Sequence, residues 1–360
     1  MSALSTRERS ALLLIVLLAA LAGVANYGEW AAVPRFGIAT LALAGLAWVV
    51  SFATEQLGEH LGPAVTGMLQ ASLGNLPELF VVIFALQKGE LVVAQTAIVG
   101  SILANALLVL GLVIVVGARR SHDGIMRFSR KLPRDTATLL LLAVFIIVLL
   151  GLSLAAHDPA SHHVKTISIV GAICLLIVYG AWVVPYLRSD MASRSDASAP
   201  EDVPRVQPRI SLRLTLALLL LAGLGSAFVS EWFINALSPA IHQLNISQAF
   251  AGLVIVAIAG NAVEHAAGLV LAAKGHADLA ISVVKNSVAQ IAAFLFPLLV
   301  LISFALSTTL TFALAPVYIG ALLLTTLALA QVTGDGEAAE FEGWALVALY
   351  VILGTLTLYE

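Results

Sequence analysis

The chain has 360 residues, 60% of them hydrophobic and only 11% charged, with a mean hydropathy of +1.01. Soluble domains carry about 25% charge, so water is not its main solvent. The net charge of -3 gives no nucleic-acid footprint, and a single cysteine, Cys174, excludes an intramolecular disulfide framework and a multi-cysteine metal site. Cys174 lies in an apolar run, where packing is its ordinary role.

In chain order the apolar runs fall at 11–27, 36–54, 63–87, 91–117, 136–156, 165–187, 212–236, 247–273, 278–305, 309–331 and 341–359. Each can cross a bilayer, which takes about 20 apolar residues as helix. The first run follows Arg7 and Arg9 and ends near Gly23-Val24-Ala25. That ending resembles a signal-peptide cleavage site, but the segment is read as a first helix within residues 1–35. Five runs follow in 36–187 and five in 212–360, joined by a polar linker at 188–211 rich in Ser, Asp, Pro and Arg. The expected fold is an all-α integral membrane protein of eleven transmembrane helices.

Basic residues set the expected orientation, because short loops rich in Lys and Arg stay cytoplasmic. The loop after the fourth run carries Arg119, Arg120, Arg127, Arg130, Lys131 and Arg134, and the linker with its far edge carries Arg188, Arg194, Arg205, Arg209 and Arg213. With eleven spans both lie on the amino-terminal side. The amino terminus is therefore expected in the cytoplasm and the carboxyl terminus outside, in a membrane read as the bacterial inner (plasma) membrane. The acidic loop with Asp335, Glu337, Glu340 and Glu342 would also be cytoplasmic, a minor exception because acidic residues weigh little in this rule.

The halves carry matched motifs. Gly74-Asn75-Leu76-Pro77-Glu78 and Gly260-Asn261-Ala262-Val263-Glu264 are both GNxxE, and Ser101 and Ser287 each follow the motif asparagine by 26 residues. Matched motifs at matched spacing make a repeat. With five helices per copy, the second copy enters the membrane upside down, which gives one amino-terminal helix plus two inverted five-helix repeats. Secondary transporters built this way bind their cargo near the midplane at the repeat interface.

Glu78 and Glu264 sit inside apolar runs with no Lys or Arg within a helical turn. An ionised acid there costs at least ~2.5 kcal/mol on the lenient insertion scale, so intramembrane carboxylates are functional by default; the bland reading is a protonated glutamate that packs. Asn75 and Asn261 lie three residues before these glutamates and share their helix faces. Gly74, Gly260 and Pro77 loosen the helix and can free backbone carbonyls, tolerable at this depth only around a cavity. Carboxylates with amide oxygens suit a hard cation such as calcium, which takes 6–8 oxygen ligands. When the cation leaves, two bare charges repel and favour proton uptake. Competition of protons and cation for the same oxygens is antiport, once the site opens to one side at a time.

Ser101 with Asn105, and Ser287 with Gln290, would add oxygens to the site, although such residues also join membrane helices by hydrogen bonds. Glu55 and Glu231, near the ends of spans, are candidates for a gate or proton path or else are simply solvated. His265 is a further candidate for that path, weighed against packing. The sequon Asn245-Ile246-Ser247 reads as coincidental.

The stretch from Ala53-Thr54-Glu55 through the first GNxxE block to Gln87-Lys88-Gly89-Glu90 and Gly100-Ser101-Ile102-Leu103-Ala104-Asn105 resembles the first repeat of the calcium/proton exchangers of the calcium/cation antiporter superfamily. Gly260-Asn261-Ala262-Val263-Glu264-His265, Gly334-Asp335-Gly336 and Glu342-Gly343 extend the resemblance through the second repeat. It implies that Glu78 and Glu264 bind calcium and exchange it for protons, with no cofactor. One departure stands out. Where the family usually opens the ninth-helix patch with Gly-Ser, this chain has Lys285-Asn286-Ser287, so Lys285 and Asn286 are candidates for ion selectivity; alternatively Lys285 snorkels to the cytoplasmic surface. Sodium/proton or other divalent cation/proton exchange is the main alternative function. A cation channel is a weaker one, and no enzyme motif is present.

Overall fold

The computed structural model describes residues 4–61, 75–129, 131–195 and 210–360. Its helices are α1 (Thr6–Tyr27), α2 (Ala32–Leu61), α3 (Leu76–Gln87), α4 (Leu91–Arg120), α5 (Lys131–Ala156), α6 (Val164–Ser195) and α7 (Leu212–Leu244). These are followed by α8 (Gln248–Gly260), α9 (Ala262–Ala273), α10 (Ala277–Ser303), α11 (Pro316–Thr333) and α12 (Glu340–Leu358). Among the described residues nine helices are long and apolar enough to cross a membrane, ten when α8 and the following helix are counted as one span bent by 60°. The expected third span, 63–87, is described only as the short α3, and its first half, with Gly74, lies outside the described residues. Most of the expected linker lies outside them as well.

The expected span at 309–331 is corrected to Pro316–Thr333. Proline presets the first helical turn and cannot continue a helix behind it. The segment before it runs unwound, anchored where Ser303 Oγ accepts from Leu310 N at 2.9 Å and donates to Leu310 O at 3.3 Å. Cys174, expected to pack, is exposed on α6.

The chain forms two compact units. One comprises residues 1–81 and 178–243. Within it α1, α2 and α7 pack through small-against-large contacts: the Trp232 ring covers Gly23, Ile15 covers Gly45, and Leu46 covers Gly225. Tyr27 meets Trp232 edge-on with ring centroids 5.9 Å apart, and Phe36 lies 5.0 Å from Phe233. Such packing drives association where lipid offers no hydrophobic contrast between helices.

The other unit comprises residues 82–177 and 244–360. At its centre α4 and α8 cross in backbone contact, with Gly100 against the Leu253 backbone and Gly252 against Thr96 and Val93 O. Only glycine lets two backbones approach this closely. Gln248 Nε2 donates to Glu90 Oε2 at 2.8 Å and ties together the starts of the two helices. A second glycine pair, Gly111 and Gly343, brings α12 against α4. Two short strands absent from the sequence reading, β1 (Ile125–Arg127) and β2 (Glu337–Ala339), pair antiparallel with Met126 opposite Ala338. Around them Arg127 bridges Asp123 at 2.7 Å and Glu337 at 3.4 Å, and Arg119 bridges Glu340 at 2.7 Å. These exposed pairs add little stability; the hydrogen bond from Arg127 still holds the Asp123 carboxyl below its usual range.

Candidate ion-binding site

Both crossing helices carry a π turn beside the contact, Ala104–Val109 in α4 and Ala251–Val256 in α8. A π turn inserts one residue into the helix and often marks a functional segment. It places Asn105 in the bulge of α4, wholly buried, where Nδ2 donates to Ser101 O at 3.0 Å and reaches Asn261 Oδ1 at 3.4 Å. Asn261 Nδ2 in turn donates to Ser101 Oγ at 3.0 Å and to Ala257 O at 2.9 Å. Ser101, Asn105 and Asn261, expected from opposite halves of the chain, thus form one buried polar cluster. Asn105 Oδ1 has no hydrogen-bond partner in it, an open acceptor in a place where an unpaired buried oxygen is costly.

At Asn261 the backbone leaves helical geometry (φ -107°, ψ 12°), and a new helix, α9, starts at Ala262. Glu264 therefore lies in the first turn of a helix, where free amide hydrogens favour a negative charge. It is half-buried and accepts a hydrogen bond from Ser287 Oγ at 2.6 Å. Ser287 and Gln290 are buried on α10 just ahead of a third π turn, Ile291–Leu295. Pro297 accounts for that turn locally, since it has no amide hydrogen for the ordinary helical bond. His265 is buried with Nε2 unpartnered among the described residues, and so is Asn286 Oδ1.

Lys285 does not snorkel. It is 1% exposed, and Nζ donates to Thr333 Oγ1 at the end of α11. Residues two apart on a helix point about 200° apart, so with Ser287 turned to Glu264 the lysine faces away, toward the carbonyl end of α11.

The compact unit of residues 1–81 and 178–243 holds the other candidates. Glu78, 2% exposed, sits in the first turn of α3, the same helical setting as Glu264. Asn75 is buried, and its carbonyl accepts from Leu79 N at 2.9 Å. Ser230 Oγ donates to Pro77 O at 3.4 Å, so a serine that the sequence reading passed over braces the backbone beside Glu78. Glu231 is half-buried and Glu55 exposed. Among the described residues no group of three or more His, Cys, Asp or Glu gathers as for a resident metal. The candidates in each unit offer carboxylate and amide oxygens, the donor chemistry that hard cations take.

A sequence profile described as sodium/calcium exchanger protein matches residues 31–186 and again 214–359. The chain belongs to this exchanger family. Over 338 residues it is 29% identical to the Ca(2+)/H(+) antiporter of Aphanothece halophytica, covering 91% of this chain and 90% of the relative. It is 32% identical over 338 residues to the vacuolar calcium ion transporter of Schizosaccharomyces pombe, covering 92% of this chain and 80% of the relative. Among solved structures it superimposes on the Ca2+/H+ antiporter protein YfkE with a TM-score of 0.80 at 25% identity, covering 98% of this chain and all of the other. The exchanger carries its buried polar clusters within the matched segments. Sequence reading found the members that repeat between halves and missed Ser230, Thr333 and the π turns, which no spacing announces apart from Pro297.

Proposed function

We propose that this exchanger is a secondary active antiporter, not an enzyme, that moves calcium one way and protons the other by alternating access without a cofactor. Glu78 and Glu264 bind the cation and the protons in turn, with Asn75, Asn261, Ser101, Asn105, Ser287 and Gln290 as further oxygen donors. The observation that carries this reading is the setting shared by the two glutamates: each occupies the first turn of a helix, one residue type at one motif position in each half. The names of the relatives in cyanobacterium and yeast support calcium as cargo.

Eleven spans in two inverted repeats, 36–187 and 212–360, remain our reading of the topology, supported by the family profile matching each half once. Pairing of β1 with β2 supports a common side for the basic and acidic loops. We assign that side to the cytoplasm of a bacterial inner membrane; external labelling of a cysteine at Ala160 but not at Ser198 is expected, and the reverse pattern would overturn it. Glu55, Glu231 and His265 are proposed for the gate or proton path, and Lys285 and Asn286 for ion choice. Sodium, or a divalent cation other than calcium, is the alternative cargo.

Proton-driven calcium uptake into vesicles is the test. E78Q and E264Q keep shape but lose the titratable charge, so each should abolish uptake while the protein still folds, and aspartate should weaken uptake without erasing it. Exchange at ordinary rates in the glutamine variants would refute the mechanism. Proton-driven uptake of sodium or manganese in place of calcium would move the cargo to the alternative.

A further inference from the structure

The π turn of α8 has a bond pattern with a consequence outside the motif. At its end the Ala257 amide donates to Gly252 O, five residues back, and to Val254 O, three back. It bypasses Leu253 O, the acceptor it would take in an α-helix. That oxygen is not left bare, because Tyr350 of α12 donates its phenolic hydrogen to Leu253 O at 3.2 Å, in a buried contact. The two helices run together on either side of this bond: Ser247 Oγ donates to Thr357 O, and Val254 packs against Gly354.

The hydroxyl of Tyr350 supplies Leu253 O with the hydrogen that the amide of Ala257 gives to Gly252 O and Val254 O instead. While Tyr350 holds it, α8 keeps its extra residue. If Ala257 took it, the bulge would close, and everything beyond would shift by one residue, a rotation of about 100° and a translation of about 1.5 Å. Asn261 lies four residues past Ala257, and its amide is aimed at Ser101 and Asn105 by that same register. A rotation of this size turns it out of the cluster and re-aims the start of α9, which carries Glu264.

We infer that Tyr350 is a positioning residue that holds α8 in its π register and so sets the direction of Asn261 and Glu264. The inference rests on the proposed ion site for its functional consequence, but not for its structural one. Y350F removes only the donor.

Two readouts separate the claims. Hydrogen-deuterium exchange of purified protein should show faster uptake across residues 251–261 in Y350F, with residues 91–99 of α4 unchanged; this needs no transport. In vesicles the KM for calcium should rise about five- to tenfold with the maximal rate within about twofold, whereas loss of fold would lower the rate and the yield together. Ile258, exposed on α8, sits two residues past the end of its π turn as Pro297 does in α10, so I258P locks the bulge without Tyr350. The double variant I258P/Y350F should return exchange of 251–261 toward the wild-type level. Unchanged exchange in Y350F, or no recovery in the double variant, would overturn the inference. If wild-type protein moved no calcium against protons, the functional reading would fail while the exchange data still decided the register.

Discussion

A methyl group at Gly252 is the sharpest test of the crossing that builds the polar cluster. A Cβ there meets Thr96 Oγ1 and Thr96 Cβ, the latter at 3.0 Å, and Val93 O at 3.0 Å. The carbonyl belongs to the α4 backbone and cannot move alone. Thr96 cannot swing aside freely either, because its hydroxyl is bonded to Val92 O at 2.7 Å. Relief therefore takes overpacking strain of about 1–3 kcal/mol, and loss of the threonine bond adds about 1 kcal/mol where the side chain turns. G252A should destabilise the protein by about 2–4 kcal/mol, read as unfolding in mixed micelles over a detergent titration. Parting the helices by a few tenths of an ångström also stretches the Asn105–Asn261 contact, already 3.4 Å, so calcium affinity should fall with stability. Adding T96A removes the first obstacle and leaves the carbonyl, so it should recover part of both losses as a coupling of about 1 kcal/mol in a double-mutant cycle. Wild-type stability and affinity in G252A would refute the backbone crossing.

S287A deletes the 2.6 Å hydroxyl contact to Glu264; removal of one bond to a carboxylate should weaken apparent calcium affinity about tenfold, or ~1.4 kcal/mol, in uptake titrations. K285L should change calcium affinity or its pH dependence in the same assay, and no change in either would reduce the lysine to an anchor for the end of α11. Asp158 caps the turn Pro159–His163 and is held below the usual carboxylate range first by the Ser153 hydroxyl at 2.5 Å and then by backbone amides of Ser161 and Ala160. Its folded pKa is lowered, so the capped turn should be at full strength above the ordinary value near 4. It should loosen as pH falls through the lower folded value, as amide protection at 158–163, corrected for intrinsic rates, would report; D158A should show the loosened turn at neutral pH.

What the sequence made legible follows from the solvent. Lipid forces long apolar runs and makes every buried acid conspicuous, so the helices and Glu78 and Glu264 stood out. Repetition singled out Ser101, Asn261 and Ser287, and their asparagine and serine contacts are present in the structure. The span ends were less legible, because a bilayer sets a minimum length and no maximum: α2 overruns its expected end by a full turn and more, and α11 starts late at its proline. The π turns of α4 and α8 were illegible because a one-residue insertion leaves hydrophobicity unchanged. The burial of Lys285 was illegible for a related reason, since a lysine seven residues past the carboxylate of Asp278 in the same helix reads equally as a surface group.

Magnitudes connect the helix breaks to exchange. An ionised carboxylate in an apolar span costs at least ~2.5 kcal/mol on the lenient scale, while a first-turn position returns about 0.3–1 kcal/mol and at most ~2. Starting a helix at Ala262, and placing Glu78 in the first turn of α3, therefore softens the cost without removing it. Were the offset complete, an empty ionised site would be stable and the carrier could turn around unloaded. Were it absent, the glutamates would stay protonated and the cation would find no charge. The residual penalty lies between these limits, and on the proposed mechanism it is what makes each glutamate accept either a cation or a proton before the site reopens.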